Sequence, residues 1–380
     1  MRAFRKTSGT KPIPCALLRA PSCRGSTGCR QRRRSCGAAA GASAAEGAGA
    51  DPIVSTQWLA ANLEDVAILD VRGRVDTATL EPGVEKSTYI SGYDDYLEGH
   101  IPGAVFFNWT KDGVDASQAA PVQLEADSDA FHAMLEAKGV DSERPVVVYD
   151  GGDGMLAARL WWALTVHGHP APRILEGGWA RWRAEGRALE LYEPCTLKVS
   201  TTFDAANAAP RPELRVTVDE LAAALAAAAA SPSSTAGSSS DSGGGGGGDL
   251  LIVDTRNWEQ YTGQVRRGPR GGRIPGAVSL PRRELLDPAT GWLLPLEEQR
   301  AVLLERLGLT EAELPGASGG GGGGGGGRRV VLYCNGGVAA CTAALALSRL
   351  GHASWAVYDG SWNEWGARGE LPLEVGGGGE

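Results

Sequence analysis

Two α/β domains in tandem, each a mostly parallel sheet flanked by helices, are expected from three features of the sequence. Six short motifs recur in the same order in the two halves of the 380-residue chain. Apolar runs of about five residues show continuous rather than alternating hydrophobicity, the mark of strands buried on both faces. Segments of helical period stand between them, as in βαβ units.

Residues 1 to 45 carry ten Lys and Arg and no Asp or Glu. Rich in Arg, Ser, Ala and Gly and lacking a long apolar core, residues 1–48 read as an organellar transit peptide, with a mitochondrial matrix or chloroplast stroma as destination. The first domain is expected over 51–192. Its apolar run AILDVR (67 to 72) ends in Asp-x-Arg, Ile-Pro-Gly-Ala-Val follows at 101 to 105, and SDAFHAMLEAKG has helical period. RPVVVYDGGDG (144 to 154) then passes from a strand-like run into a glycine-rich turn, and VHGH and EGGWARWRAEGRALE close the half. A Pro-containing linker covers 193–213. The second domain, 214–376, repeats the series: LIVDTR (251 to 256), Ile-Pro-Gly-Ala-Val (274 to 278), the helical PLEEQRAVLLERLG, RRVVLYCNGGV (328 to 338), RLGH and YDGSWNEWGARGELPLE. Gly-rich stretches at 231–248 and 317–327 read as surface insertions, which loop-closure entropy tolerates.

The formal charge of −8 hides an asymmetry: the first 45 residues contribute +10, so the remainder of the chain carries −18. An acidic body argues against a nucleic-acid partner. No apolar run reaches the roughly 18 residues that span a bilayer, so no membrane partner is expected. Four of the seven cysteines fall in the first segment, leaving Cys195, Cys334 and Cys341. Three thiols without paired spacing make no disulfide framework. No His/Cys/Asp spacing resembles a metal site and no Gly-rich motif fits a nucleotide, so no cofactor is expected.

Cys334 stands where a strand-like run meets Asn335-Gly336-Gly337 and a helical pattern beginning near Val338. In open parallel sheets ligands bind at the carboxyl ends of strands. There the glycines let successive N–H groups turn inward, and a helix adds its positive end. That setting favours an anion, including the cysteine's own thiolate.

On these motifs the chain resembles tandem-domain rhodaneses: the Cys-x-x-Gly-Val-x-Ala loop at 334 to 340, Ile-Pro-Gly-Ala upstream and Tyr358-Asp359-Gly360-Ser361-Trp362 downstream. The resemblance implies two rhodanese-like domains over residues 51 to 375, the first without a catalytic cysteine; Asp150 holds the first-domain position of Cys334. It implies a thiosulfate or 3-mercaptopyruvate sulfurtransferase in which Cys334 accepts a sulfane sulfur from a small-molecule donor. The persulfide, held by Asn335, Gly336, Gly337, Val338 and Ala339, then passes its sulfur to cyanide, a thiol or thioredoxin.

The loop meets neither family pattern, Gly-Ser or Gly-Thr after the cysteine for mercaptopyruvate enzymes, or Arg-Lys for animal thiosulfate enzymes. Gln260 stands where family members place one substrate arginine. Arg270, in Gly268-Pro269-Arg270-Gly271, is the expected substrate clamp, with Arg266, Arg267 and Arg273 as alternative alignments. Arg256 is expected to brace the domain through Asp254 and is a second candidate for the substrate. His100 is expected to hold a structural hydrogen bond, Cys341 to pack in the core, and Trp161, Trp162, Trp179, Trp182, Trp362 and Trp365 to fill core or domain interface. The competing functions are a non-enzymatic rhodanese-like sulfur carrier or binding module, and a phosphatase, against which the loop's lack of arginine speaks.

Overall fold

The computed structural model describes residues 51–192, 201–230, 250–316 and 327–376. The expected transit peptide, Cys195 and nearly all of both Gly-rich insertions lie outside the described residues. The strands are β1 (Ile53–Val54), β2 (Ala67–Asp70), β3 (Gly73–Glu81), β4 (Val84–Ser91), β5 (Ala104–Phe106), β6 (Val146–Tyr149) and β7 (Pro172–Leu175) in the first half. The second half supplies β8 (Arg215–Val216), β9 (Leu250–Asp254), β10 (Arg266–Arg267), β11 (Val278–Ser279), β12 (Arg329–Tyr333) and β13 (Trp355–Tyr358).

Two five-stranded sheets share one topology, β1-β7-β6-β2-β5 and β8-β13-β12-β9-β11. All their pairings are parallel. Every residue of β2, β6 and β13 is buried, and apart from Asp70 at the end of β2 those runs consist of apolar and aromatic residues.

The Asp-x-Arg motif explains itself at the strand ends. Asp70 lies in register with Tyr149, and Asp254 with Tyr333. Each buried carboxylate accepts a phenol O–H at 2.6 Å. Each also meets the arginine two residues on, at 2.7 Å for Arg72 and 2.6 Å for Arg256. Both guanidinium groups continue to a carbonyl, Gly99 or Gly272, at 2.7 Å. Removing one partner would strand a buried charge at a cost of about 3–5 kcal/mol.

The helices Ser128–Ala137 and Leu296–Leu307 form where the helical periods lie, the second bounded by Pro295 and a left-handed Gly308. Helices Met155–Val166 and Ala340–Arg349 pack against each other between the sheets. Both are buried on nearly every face, and Trp161 stacks on Trp355 at 6.1 Å. One hydrophobic core therefore runs through both halves, each large apolar side chain in it contributing about 1.5–3 kcal/mol. Trp162, Trp182, Trp362 and Trp365 are buried and Trp179 half-buried. His100 is buried as well, its Nδ1 2.9 Å from the Tyr96 carbonyl and its ring stacked on Tyr96. The described part of the linker docks on the first half, with Phe203 stacked on His132 at 4.1 Å.

One element is absent from the sequence reading. β3 and β4 form an antiparallel hairpin around Pro82-Gly83, and β4 pairs in parallel with β10 of the second half, placing Glu85 beside Arg267. The hairpin therefore crosses from the first domain to the mouth of the second.

Candidate active site

Cys334 follows β12 at its carboxyl end and is buried, 4% exposed. Its N–H donates to Ser361 Oγ at 3.1 Å, and that hydroxyl donates to the Tyr358 carbonyl at 2.8 Å. Trp362 N–H donates to the Cys334 carbonyl at 3.0 Å and Asn363 N–H to the Asn335 carbonyl at 2.8 Å. The loop is thus stapled through its carbonyls to the helix Ser361–Trp365. The N–H groups of Gly336, Gly337, Val338, Ala339 and Ala340 meet no acceptor among the described residues. Gly337 adopts φ +71°, and a Cβ there would stand 2.8 Å from the Asp359 carbonyl. Only glycine fits that turn.

The first-domain counterpart displays what such a loop holds. The Asp150 carboxylate accepts N–H bonds from Gly152 (2.9 Å), Gly154 (3.1 Å), Leu156 (3.1 Å) and Ala157 (3.1 Å). Burial, reinforced by Asp153 and opposed by those N–H groups, raises its pKa to about 6. A carboxylate on the side chain fills this cradle; in the second domain the equivalent position carries the thiol.

A cavity of about 210 Å³ opens at Cys334, lined by Val75 and Tyr89 of the hairpin, Met155 of the first domain, Thr255, Arg256, Asn257, Gln260 and Arg267, and by Asn335, Gly336, Val338 and Ala339 of the loop. Gly337 is not in its lining; its carbonyl accepts from Cys341 Sγ at 3.1 Å and Arg159 Nη1 at 3.4 Å. Burial pushes the Cys341 thiol up to about 12, as befits a core residue.

Of the four neighbouring arginines, the structure brings Arg267 to the cavity and not Arg270. The Arg270 guanidinium faces the opposite way and donates to the carbonyls of Trp365, Gly366, Arg368, Gly369 and Leu371. It ties down the chain after Trp365 and has no reach to a donor at Cys334. Arg273 pairs with Glu374 at 3.1 Å, and Arg266 lies 3.7 Å from Glu81 near the hairpin tip. Arg256 lines the cavity, yet its charge is met by Asp254 and its plane lies 4.5 Å over Trp362. Arg267 donates through Nε to Glu85 Oε2 at 2.9 Å; its terminal nitrogens have no acceptor among the described residues. The same Glu85 oxygen accepts from Gln260 Nε2 at 3.0 Å, and Gln260 Oε1 accepts from Asn335 Nδ2 at 3.0 Å. One hydrogen-bonded row thus links the arginine to the residue beside the cysteine.

The fold and this site define a class, and the chain belongs to the rhodanese family: the rhodanese-like domain matches residues 55–185 and 244–368. It is 30% identical over 324 residues to the 3-mercaptopyruvate sulfurtransferase of Escherichia coli (strain K12), spanning 84% of this chain and 97% of that protein. It is 29% identical over 345 residues to the mitochondrial thiosulfate/3-mercaptopyruvate sulfurtransferase 1 of Arabidopsis thaliana, spanning 85% and 78%. The crystal structure of SseA from Escherichia coli, a 3-mercaptopyruvate sulfotransferase of rhodanese fold, covers 82% of this chain with 99% of its own at TM-score 0.61 and 26% identity. No helix among the described residues is long and apolar enough to cross a membrane.

Proposed function

We propose that this protein is a sulfurtransferase that moves a sulfane sulfur through a Cys334 persulfide, with 3-mercaptopyruvate as the preferred donor. The observation that carries the reading is the Cys334 loop, whose N–H groups from Gly336 to Ala340 meet no acceptor among the described residues while the matching first-domain loop cradles a carboxylate. Backbone donors of that kind stabilise a thiolate and a persulfide anion alike. The thiolate attacks the donor's sulfur; an S–S bond forms, the C–S bond breaks, and its electron pair passes to the enolate of pyruvate. The proton of the donor thiol ends on the enolate carbon, leaving pyruvate and the Cys334 persulfide anion. An acceptor thiolate or cyanide then takes the outer sulfur, and the Cys334 thiolate returns. Asn335, Gly336, Val338 and Ala339 line the transfer site.

Donor preference follows from charge. Arg267 and Arg256 are the cations of the cavity wall, and each already faces a carboxylate, Glu85 or Asp254. What is left is the pair of terminal nitrogens on Arg267, a fork suited to one carboxylate. Thiosulfate carries two charges next to the transferred sulfur, and the loop itself has no cation. The first domain, with Asp150 in its loop, acts as a scaffold that supplies the hairpin and Met155. The plant relative is mitochondrial by name, in line with import directed by residues 1–48. Steady-state assays with 3-mercaptopyruvate and thiosulfate side by side test the reading. A higher kcat/KM for 3-mercaptopyruvate is expected. Preference for thiosulfate would overturn the donor, and turnover of neither would overturn the activity.

A further inference from the structure

The hairpin brings one more reactive group to the cavity. Tyr89 on β4 lies opposite Val75 on β3, and both line the wall above Cys334. The ring packs edge-on against Trp109, centroids 5.7 Å apart, and the Trp109 indole donates to the neighbouring Ile90 carbonyl at 3.1 Å. Its hydroxyl accepts from Asn363 Nδ2 at 3.0 Å, on the residue whose N–H holds the Asn335 carbonyl. The phenol is therefore fixed against the cysteine loop as an acceptor, and its own O–H has no acceptor among the described residues. A Cβ built on Gly336 would stand 3.1 Å from Asn363 Nδ2 and 3.5 Å from the Tyr89 oxygen, so the hydroxyl lies directly over that loop position.

Burial raises the proton affinity of the phenol; Asn363 opposes that, the Cys334 charge adds to it and Arg267 opposes it. Tyr89 thus lies within electrostatic reach of both the sulfur nucleophile and the guanidinium and stays protonated at neutral pH. A donor with its sulfur at Cys334 and its carboxylate on Arg267 places its keto carbon between them.

We propose that Tyr89 is a catalytic residue that donates its O–H hydrogen bond to the keto oxygen of an α-keto acid donor as that oxygen becomes an enolate. The role rests on the 3-mercaptopyruvate reading above. In the step, the Cys334–sulfur bond forms, the donor's C–S bond breaks, and the electron pair collects on the oxygen facing Tyr89. The tyrosine lends a hydrogen bond and keeps its proton, while the thiol proton goes to the enolate carbon as before. A donor group aimed at developing negative charge is worth about 10²-fold or more in kcat.

The test compares two sulfur sources on Tyr89→Phe. With 3-mercaptopyruvate, kcat should fall about 10²-fold while KM moves by less than about 3-fold. Sodium tetrasulfide loads Cys334 by expelling a polysulfide anion and has no keto oxygen, so its loading rate should fall less than about 3-fold. An unchanged kcat with 3-mercaptopyruvate, or an equal loss with both sources, would overturn the role of Tyr89. If the parent protein releases no pyruvate at all, the donor assignment fails first and this role with it. As a second variant that keeps shape and O–H, 3,5-difluorotyrosine at position 89 should move the alkaline limb of the 3-mercaptopyruvate kcat profile to lower pH. A limb that stays in place contradicts a protonated phenol acting in the step.

Discussion

Replacing Arg267 with alanine should weaken the donor more than the loss of one contact. A charge-assisted contact from the terminal nitrogens to a carboxylate is worth about 1.5–3 kcal/mol. The substitution also leaves Glu85, now paired at 2.9 Å with Arg267, facing an anionic donor without its cation. Two like charges about 7 Å apart at an effective dielectric of about 20 repel by about 2 kcal/mol. Allowing for water at the rim, where both side chains are 20% exposed, kcat/KM for 3-mercaptopyruvate should drop by about 100- to 1000-fold, mostly through KM. Pyruvate release under steady-state conditions reads this directly. The double variant Arg267→Ala/Glu85→Gln removes the stranded charge and should regain about 10-fold. A single variant within about 3-fold of the parent, or a double variant no better than the single, would refute the placement of the donor's carboxylate.

Three further outcomes follow from the same geometry. Asp150 has its pKa raised to about 6 in the fold, above the roughly 3.9 of an unfolded chain; the native state then holds the proton that the unfolded state releases. Stability relative to Asp150→Asn should therefore decline as pH rises from about 4 to about 6 and level off above, which thermal midpoints across that range will show; a constant gap contradicts it. Gly337→Ala must place a side chain at φ +71° and 2.8 Å from the Asp359 carbonyl. It should lose about 2–4 kcal/mol in denaturant unfolding, and an unaltered midpoint would show the loop to be adaptable. Arg270→Ala should lower the thermal midpoint by releasing the carbonyls that follow Trp365 while moving the donor KM by less than about 3-fold; a KM rise matching that of Arg267→Ala would return the clamp to Arg270.

The repeat, the buried parallel strands and the cysteine at a strand end are legible because they follow from local rules: continuous apolar runs, glycines where the chain must turn, helical period between. Asp70 with Arg72, and Asp254 with Arg256, announce their ion pairs through a spacing of two. The cavity's far wall is harder to read, since Val75, Tyr89 and Met155 reach the Cys334 cavity only through the pairing of β4 with β10 and the packing of the two central helices. A partial signal exists in RVDTATLE and VEKSTYIS, both rich in strand formers, on either side of Pro82-Gly83. Which of Arg266, Arg267, Arg270 and Arg273 faces the cavity depends on register within a short segment. A step of one residue turns a side chain to the other face, and only the pairing of Arg267 with Glu85 settles which arginine points inward.

The most direct measurement is the mass of the protein after one equivalent of 3-mercaptopyruvate, followed by peptide mapping. A gain of one sulfur atom on the peptide that contains Cys334 is predicted, lost in Cys334→Ser and kept in Cys341→Ala, whose parent thiol is buried in the core. Sulfur on Cys341 or Cys195, or full turnover by Cys334→Ser, would contradict the account.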